Sequence, residues 1–208
     1  MGERSISEDV LKYLCNVYFQ ENECMILRAS KRAYLDLCRT IDFEKDITDK
    51  KKKCLVNEVG NYFKEELDNK EGLNKVKNGY DEWHDEACSK VMKKYNGYVE
   101  NCNGLYYGQA QKWVNMTMKY LYILNKCYGE NQEKYDFLEK VDHLPIDSII
   151  LQKLNGNEKK IWNNKTWSKF GQVDYATCKK EIKEKLAGKE FLFMWELRNW
   201  KENGTKLY

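Results

Sequence analysis

Pro145 is the only proline among the 208 residues of this chain. All-β proteins rarely do without proline in their turns, so this scarcity favours helices. Apolar residues also recur at the three- and four-residue spacing of a helix surface, as Val10, Leu14 and Val17 do near the N-terminus. We therefore predict an all-α fold.

The periodic segments predict eight helices, separated by polar or glycine-containing breaks. They cover residues 8–18, 23–41, 54–67, 81–95, 109–128, 146–154, 173–187 and 189–201. Ser7 is expected to cap the first helix, because its hydroxyl can accept a hydrogen bond from the first turn. The predicted connections are residues 46–53, 72–79, a turn at 101–104, and 129–145 with a short helical piece at 135–141.

The composition sets the class of protein. Apolar residues make up 42% of the chain and aromatic residues 13%, which is enough for one sizeable core. We predict one helical domain over residues 1–208, divisible into lobes at 1–100 and 101–208. No N-terminal apolar run resembles a signal peptide, and no stretch is long enough to span a membrane. We expect a cytoplasmic monomer without membrane contact, associated with the nucleoid if the cell is prokaryotic.

The eight cysteines are scattered along the chain without a CxxC pair, and the two histidines are far apart in sequence. Zinc and iron–sulfur sites require clustered ligands at short spacings. We therefore expect free thiols, no metal site and no cofactor.

The charge is unevenly distributed, although the net charge is only +3. Residues 28–53 hold nine basic against five acidic side chains, and residues 151–208 hold thirteen against seven. Residues 54–100 are net acidic, with seven basic against ten acidic side chains. The basic segments suit a surface that faces phosphates, with Arg28, Lys31 and Arg32 on the exposed side of the second helix as DNA-backbone contacts. The alternative is that these lysines and arginines only solvate helix surfaces.

Two residues carry the strongest chemical signal in the sequence. Lys112 ends the sequence Gly108-Gln109-Ala110-Gln111-Lys112 at the start of the long apolar helix. Asp147 follows Leu144-Pro145-Ile146, 35 positions later. An amine and a carboxylate on successive helices are the groups with which an enzyme breaks a glycosidic bond through a Schiff base.

Two structural interpretations of the same residues stay open. Lys112, Lys119 and Lys126 are spaced by seven residues, which is typical of a solvated stripe on a helix. Asp147 also suits the first turn of a helix, where the helix dipole favours a negative charge.

Residues 104–154 resemble the helix-hairpin-helix DNA glycosylases, most closely the archaeal 8-oxoguanine glycosylase/lyase branch. That superfamily has a Gly-x-Gly-x-Lys sequence where the hairpin ends, and here Ala110 stands in place of the second glycine. The downstream Pro145-Ile146-Asp147 is similar to the Pro-Val/Ile-Asp of that branch, and the likeness covers about a quarter of the chain. The resemblance implies an all-α helix-hairpin-helix fold with two helical lobes around a cleft.

The resemblance also implies a role for each matching residue. Lys112 and Asp147 would be catalytic. Backbone N–H groups at the hairpin would bind a DNA phosphate, since small residues there permit close approach. They are Gly104, Gly108 and Ala110. Aromatic side chains would sandwich a base that has left the stack. They are Trp113, Tyr107 and Trp195.

The sequence thus predicts an enzyme that acts on DNA containing a damaged or modified base. We expect a DNA glycosylase with AP lyase activity that excises an oxidised purine such as 8-oxoguanine through a lysine Schiff base. The alternative is a helical protein without catalysis, which binds DNA or serves as a regulatory or host-defence interaction protein.

Overall fold

The computed structural model describes residues 8–19, 23–129, 131, 133–155 and 161–199. These residues form nine α-helices and one short antiparallel β-hairpin, and the all-α prediction is confirmed. The helices are α1 (Glu8–Phe19), α2 (Met25–Leu37), α3 (Asp49–Leu67), α4 (Lys70–Asn78), α5 (Tyr80–Lys94), α6 (Tyr107–Tyr128), α7 (Ser148–Leu154), α8 (Gln172–Lys185) and α9 (Leu192–Asn199). The strands are β1 (Ile161–Trp162) and β2 (Lys165–Thr166), and 3-10 turns cover Cys38–Thr40, Asp136–Lys140 and Trp167–Lys169.

Helix α6 is the centre of the molecule. Nearly every residue from Tyr107 to Asn125 is buried, including polar ones, because other helices surround it. Helix α2 packs most extensively against it, followed by α5, with α1 and α8 on other sides. At its N-terminus, the Gln109 side chain accepts a hydrogen bond from the Tyr106 N–H at 2.9 Å, which satisfies one backbone donor.

One hydrophobic cluster extends from Cys15 in α1 to Trp195 in α9 and is continuous across residue 100. The eight cysteines are all free, and the Sγ atoms of Cys15 and Cys127 lie 3.1 Å apart between α1 and α6. Among the described residues, no helix combines the length and apolar character needed to cross a bilayer.

Two predicted connections were wrong, because polar caps begin helices there. Helix α3 starts at Asp49 rather than at residue 54, and the Thr48 hydroxyl accepts a hydrogen bond from the Lys51 N–H at 3.2 Å. Residues 70–78 form α4, where a polar break was predicted, with the Asn69 side chain accepting from Gly72 N–H at 2.7 Å. Runs of exposed lysine and asparagine carry no apolar period, so the pattern alone missed both starts.

Other boundaries differ by a few residues. The predicted helix over 23–41 ends at Leu37 and continues as a 3-10 turn. The β-hairpin was not predicted, and its turn places Asn163 and Asn164 at positive φ, which asparagine tolerates better than most residues. The Ser7 cap and residues 200–201 of the last predicted helix lie outside the described residues.

Candidate active site

The Lys112 ammonium lies 2.6 Å from Asp147 Oδ2, and this pair is the centre of the site. Both residues are buried, with 3% of Lys112 and 7% of Asp147 exposed. Lys112 belongs to the second turn of α6, and Asp147 immediately precedes α7. The structure therefore brings together the two residues that the sequence singled out for catalysis.

Asp147 is fixed in place because it caps α7. Its Oδ1 atom accepts hydrogen bonds from the N–H groups of Ile149 at 2.9 Å and Ile150 at 3.0 Å. Capping uses one carboxylate oxygen and leaves Oδ2 for Lys112. The sequence interpretation of Asp147 as a helix-start residue and the interpretation as a partner of Lys112 are thus compatible.

Two amide side chains of α6 hold the segment that leads to Asp147. Gln111 donates to the Ile146 carbonyl at 2.8 Å and accepts from the Ile146 N–H at 3.2 Å. Asn115, one turn further along α6, donates to the Leu144 carbonyl at 3.0 Å. Because the helix that carries Lys112 also anchors this segment, the distance between amine and carboxylate is set by neighbouring contacts.

The electrostatics of the pair keep the carboxyl ionised. Burial of the Asp147 carboxyl raises its pKa, but the Lys112 ammonium and the N–H groups of Ile150 and Ile149 outweigh burial. The pKa of Asp147 therefore lies below its ordinary value of 3.8. At neutral pH Asp147 is therefore a carboxylate.

The pair forms part of the wall of a cleft with a volume of about 670 Å³. Arg32 and Arg39 line the cleft as well, and its apolar lining includes Met116 and Trp167. A volume of this size is within the range of small-ligand sites, roughly 300–1,000 Å³. The cleft therefore joins a buried amine, two guanidinium groups, one aromatic surface and two carboxylates, of which Asp36 pairs with Arg32 at 2.9 Å.

The three hairpin residues predicted to bind a phosphate are buried, and their N–H groups have protein acceptors. Gly108 donates to Phe170 O at 2.9 Å, Gly104 to Asn101 O at 2.9 Å, and Ala110 to Tyr106 O at 3.1 Å. A Cβ atom at Gly108 would lie 1.8 Å from the Trp167 carbonyl oxygen. The glycine is therefore needed for close packing of α6, and a phosphate at this turn would have to bind without these donors.

The three aromatic residues predicted to form a base pocket lie away from the cleft lining. Trp113 is fully buried, and its indole N–H donates to the Ser30 carbonyl at 3.0 Å. The Tyr107 hydroxyl donates to Asp85 at 2.5 Å, and Trp195 is buried in α9. Trp113 faces α2 because α6 is surrounded by other helices, so its position next to Lys112 in sequence does not place it in the cleft.

The predicted DNA-backbone residues of α2 lie on its outer side. Arg32 lines the cleft, and it also lines a neighbouring pocket together with Arg28 and Lys31. These three side chains are partly exposed, in contrast to the buried hairpin glycines.

A second buried ion pair occurs on α6, seven residues after the first. Lys119 Nζ lies 2.9 Å from Glu196 Oε1, and Glu196 is 1% exposed. Burial raises the pKa of Glu196 above its ordinary value of 4.5, although Lys119 and Lys112 both act to lower it. The interpretation of Lys112, Lys119 and Lys126 as a solvated stripe is therefore wrong for the first two, since each is buried against a carboxylate.

A cluster of aromatic and charged groups lies at the start of the segment that leads to Asp147. His143 Nε2 lies 2.6 Å from Asp81 Oδ1, and its Nδ1 lies 3.1 Å from the Tyr175 hydroxyl. The rings of His143 and His84 pack with centroids 4.0 Å apart. Burial lowers the pKa of both histidines, that of His84 to about 3. No three or more His, Cys, Asp and Glu side chains of the described residues form a group able to hold a metal ion.

Sequence reasoning did not select four residues that the structure places at the site. They are Gln111, Met116, Trp167 and Arg39. Met116 lies four residues after Lys112 on α6, a spacing that could have been recognised as the same helix face. Gln111 lies one residue before Lys112, so it points in another direction and holds Ile146 instead. Trp167 comes from a distant segment, and no sequence spacing points to it. Arg39 lies in the basic segment 28–53, on the same exposed side of the predicted second helix as Arg28 and Arg32, although it was not selected as a site residue.

Comparison with known proteins returns no match, whether to a family model, to a curated protein or to a solved structure.

Proposed function

We propose that this protein is a DNA glycosylase with AP lyase activity that removes an oxidised purine, such as 8-oxoguanine, through a Schiff base on Lys112. The observation that carries the proposal is the buried 2.6 Å pair of Lys112 and Asp147 in the wall of an arginine-lined cleft. A lysine held next to a carboxylate, within reach of a cavity of nucleotide size, is suited to act as an amine nucleophile.

The proposal includes the helix-hairpin-helix glycosylase fold that the resemblance implies. In it, segment 104–154 supplies both catalytic residues, and α2, α6 and the start of α7 form the walls of the cleft. The order of the parts supports this assignment, because a turn at residues 101–104 precedes the helix of Lys112, and Asp147 caps a later helix.

The first chemical step needs a neutral amine. The Lys112 ammonium gives a proton to Asp147 Oδ2, which is 2.6 Å away, and its freed lone pair attacks C1′ of the damaged nucleotide. The N-glycosidic bond breaks, and its electron pair leaves with the base. Since the pKa of Asp147 is low, the carboxyl passes the proton to the departing base and again becomes a carboxylate that stabilises positive charge on the sugar.

The second step accounts for the lyase activity. The C1′–O4′ bond then breaks, and O4′ leaves with its electron pair and takes a proton from Nζ, which gives a protonated imine between Lys112 Nζ and C1′. Loss of a proton from C2′ then forms a C1′–C2′ enamine that expels the 3′ phosphate with its electron pair, which nicks the strand. Addition of water to the imine releases the sugar fragment and returns the free amine.

The extruded base needs surfaces on which to stack. Trp167 and Met116 line the cleft, so they are the surfaces that we assign to the base in place of Trp113, Tyr107 and Trp195. Stacking of a base on an aromatic side chain contributes about 1–3 kcal/mol and depends little on which base is bound. Selection among bases would then depend on polar groups of the cleft.

Borohydride trapping tests the proposal. Protein is mixed with a labelled duplex carrying 8-oxoguanine, or no lesion, in the presence of borohydride, which reduces a Schiff base to a stable amine. We expect a shifted covalent band for wild type on the lesion duplex and none for Lys112→Gln. Lys126→Gln is the matched control, because Lys126 lies on the same helix but is over a third exposed.

Other outcomes distinguish the alternatives. A band that persists in Lys112→Gln would contradict the assignment of the nucleophile. If wild type gives no band on a panel of lesions yet binds DNA, the protein is a non-catalytic DNA-binding protein. Absence of both trapping and binding would favour an interaction protein without a nucleic-acid role.

A further inference from the structure

A second pocket adjoins the cleft along α2. It has a volume of about 230 Å³ and lies between α1 and α2, where Arg28, Lys31 and Arg32 line it. Arg32 and Leu35 line both this pocket and the cleft that contains Lys112, so the two cavities are neighbours on one side of α2.

The pocket is basic, and its two arginines differ in the hydrogen-bond partners of their guanidinium groups. Lys31 is paired with Glu23 at 2.5 Å, the one acidic residue of the lining. The Arg32 guanidinium is held in place by Asp36 at 2.9 Å and by the Tyr18 hydroxyl at 2.6 Å, and it lies 4.3 Å from the centre of the Tyr18 ring. Three cations against two carboxylates, Glu23 of the lining and Asp36 beside Arg32, leave an excess positive charge where an anion can bind.

Arg28 is the informative residue of this pocket. Its Nε and Nη2 atoms are buried, and no described residue accepts a hydrogen bond from them. Its only described ring contact is with Tyr128, whose centroid lies 5.6 Å from the guanidinium carbon. Buried donors without an acceptor are rare in folded proteins. Because no described residue accepts a hydrogen bond from these two nitrogens, the guanidinium can turn toward an anion and donate to it without breaking such a bond.

If DNA is to reach Lys112, a phosphate-binding site outside the hairpin is needed. The N–H groups of Gly104, Gly108 and Ala110 donate to protein carbonyls, so they do not offer a phosphate free donors. A DNA strand that reaches Lys112 must be held by other groups, and the cations of α2 are the side chains that continue from the cleft.

We infer that the pocket between α1 and α2 binds a backbone phosphate of the DNA strand whose damaged nucleotide enters the cleft, an inference that rests on the proposed function. Arg28 and Lys31 contact the phosphate, and Arg32 is the boundary between the two cavities. Arg28 lines the pocket and Asp36 lines the cleft. These two residues are eight positions apart on α2, which corresponds to about 12 Å along the helix axis. That distance corresponds to about three to four nucleotides of a B-form strand.

The test is the salt dependence of binding to a duplex that carries a tetrahydrofuran abasic analogue. We compare wild type with the double variant Arg28→Gln/Lys31→Gln between roughly 50 and 200 mM salt. Arg28 and Lys31 contact one phosphate, and each lost phosphate contact reduces the slope of log K against log salt by about one, so we expect a reduction of about one. The double variant Lys90→Gln/Lys93→Gln is the matched control, since these exposed lysines of α5 line neither cavity and should leave the slope unchanged.

Shortening the duplex locates the contact. When the strand ends within about two nucleotides of the analogue on one side, wild type should lose the same part of the slope, and the Arg28→Gln/Lys31→Gln change should then have no further effect. Arg28→Lys, which keeps the charge, should retain most of the slope, and thermal unfolding checks that each variant is folded.

The outcomes separate this inference from the proposed function. An unchanged slope in the folded double variant overturns the phosphate site, while trapping by Lys112 stands on its own. A reduced slope without trapping keeps the phosphate site and overturns the glycosylase proposal.

Discussion

Helix α6 carries two buried lysine–carboxylate pairs that look alike until their surroundings are compared. Lys112 pairs with Asp147 and Lys119 with Glu196, at 2.6 Å and 2.9 Å, and all four residues are buried. Asp147 and Lys112 both line the cleft beside Arg32. Of the second pair, Lys119 instead lines an apolar groove against α1.

The comparison shows that burial and a short distance do not by themselves make a lysine a candidate nucleophile. A buried ion pair is often neutral for stability, because the cost of removing both charges from water offsets their attraction. What distinguishes the first pair is the lining of its cavity, where Arg32 and Arg39 can attract phosphates, whereas the groove that Lys119 lines is mostly apolar. The pKa directions of the two carboxyls also differ, since that of Asp147 is lowered and that of Glu196 is raised.

The largest effect that we expect is on catalysis at the first pair. Asp147→Asn keeps a side-chain oxygen that can cap α7, but removes the charge and the proton acceptor for Lys112. Single-turnover base excision should slow by about two to four orders of magnitude, measured by release of 8-oxoguanine at saturating protein. Circular dichroism of α-helix content serves as the control, and a variant that is folded but excises at the wild-type rate would contradict the role of Asp147.

The next largest effect should be on stability at the second pair. Glu196→Ala leaves the Lys119 ammonium buried without its carboxylate, and should lower the free energy of unfolding by about 3–5 kcal/mol. Lys119→Met/Glu196→Leu removes both charges and should cost much less, since apolar side chains replace the pair. Urea denaturation measures both. Equal losses in the single and double variants would mean that packing rather than the buried charge of Lys119 decides the cost.

The smallest effect is the pH dependence of stability, in which the two carboxyls act in opposite directions. The pKa of Asp147 is lowered by folding, so its contribution is present above its ordinary value of 3.8 and is lost as pH falls through the folded pKa. The pKa of Glu196 is raised, so its contribution is present below 4.5 and is lost as pH rises through the folded pKa.

Urea denaturation at a series of acidic pH values separates these contributions. Asp147→Asn should make stability fall less steeply on acidification than in wild type, whereas Glu196→Gln should make it fall more steeply. Parallel curves of stability against pH for the two variants would contradict this account, because they would mean that folding shifts the pKa values of both carboxyls in the same direction.

The sequence predicted the helices best where apolar residues repeat. The periods around Val10 and through 109–128 gave α1 and α6, but α4 was missed because only Leu73 and Val76 mark its buried side. Apolar periodicity marks a helix where one of its faces is buried. The start of a polar helix depends instead on a cap such as Asn69, whose side chain accepts a single hydrogen bond from the first turn.

The candidate site was predictable only in part, and the reason is distance along the chain. Lys112 and Asp147 were singled out by their residue types and by a local motif, and they meet in the structure. Trp167 could not be recognised, because a β-hairpin and a 3-10 turn bring it to α6 from more than fifty residues away. Trp113 was assigned to a base pocket from its position beside Lys112, and a helix surrounded on all sides buried it instead.

The central claim is that Lys112, and not Lys119, forms the covalent bond to DNA. The most direct measurement is peptide mass spectrometry of wild-type protein after borohydride trapping on the 8-oxoguanine duplex and digestion of the DNA. We predict the sugar adduct on the peptide that carries Lys112, with Lys119 unmodified. An adduct on Lys119 or on a surface lysine, with Lys112 unmodified, would contradict the account.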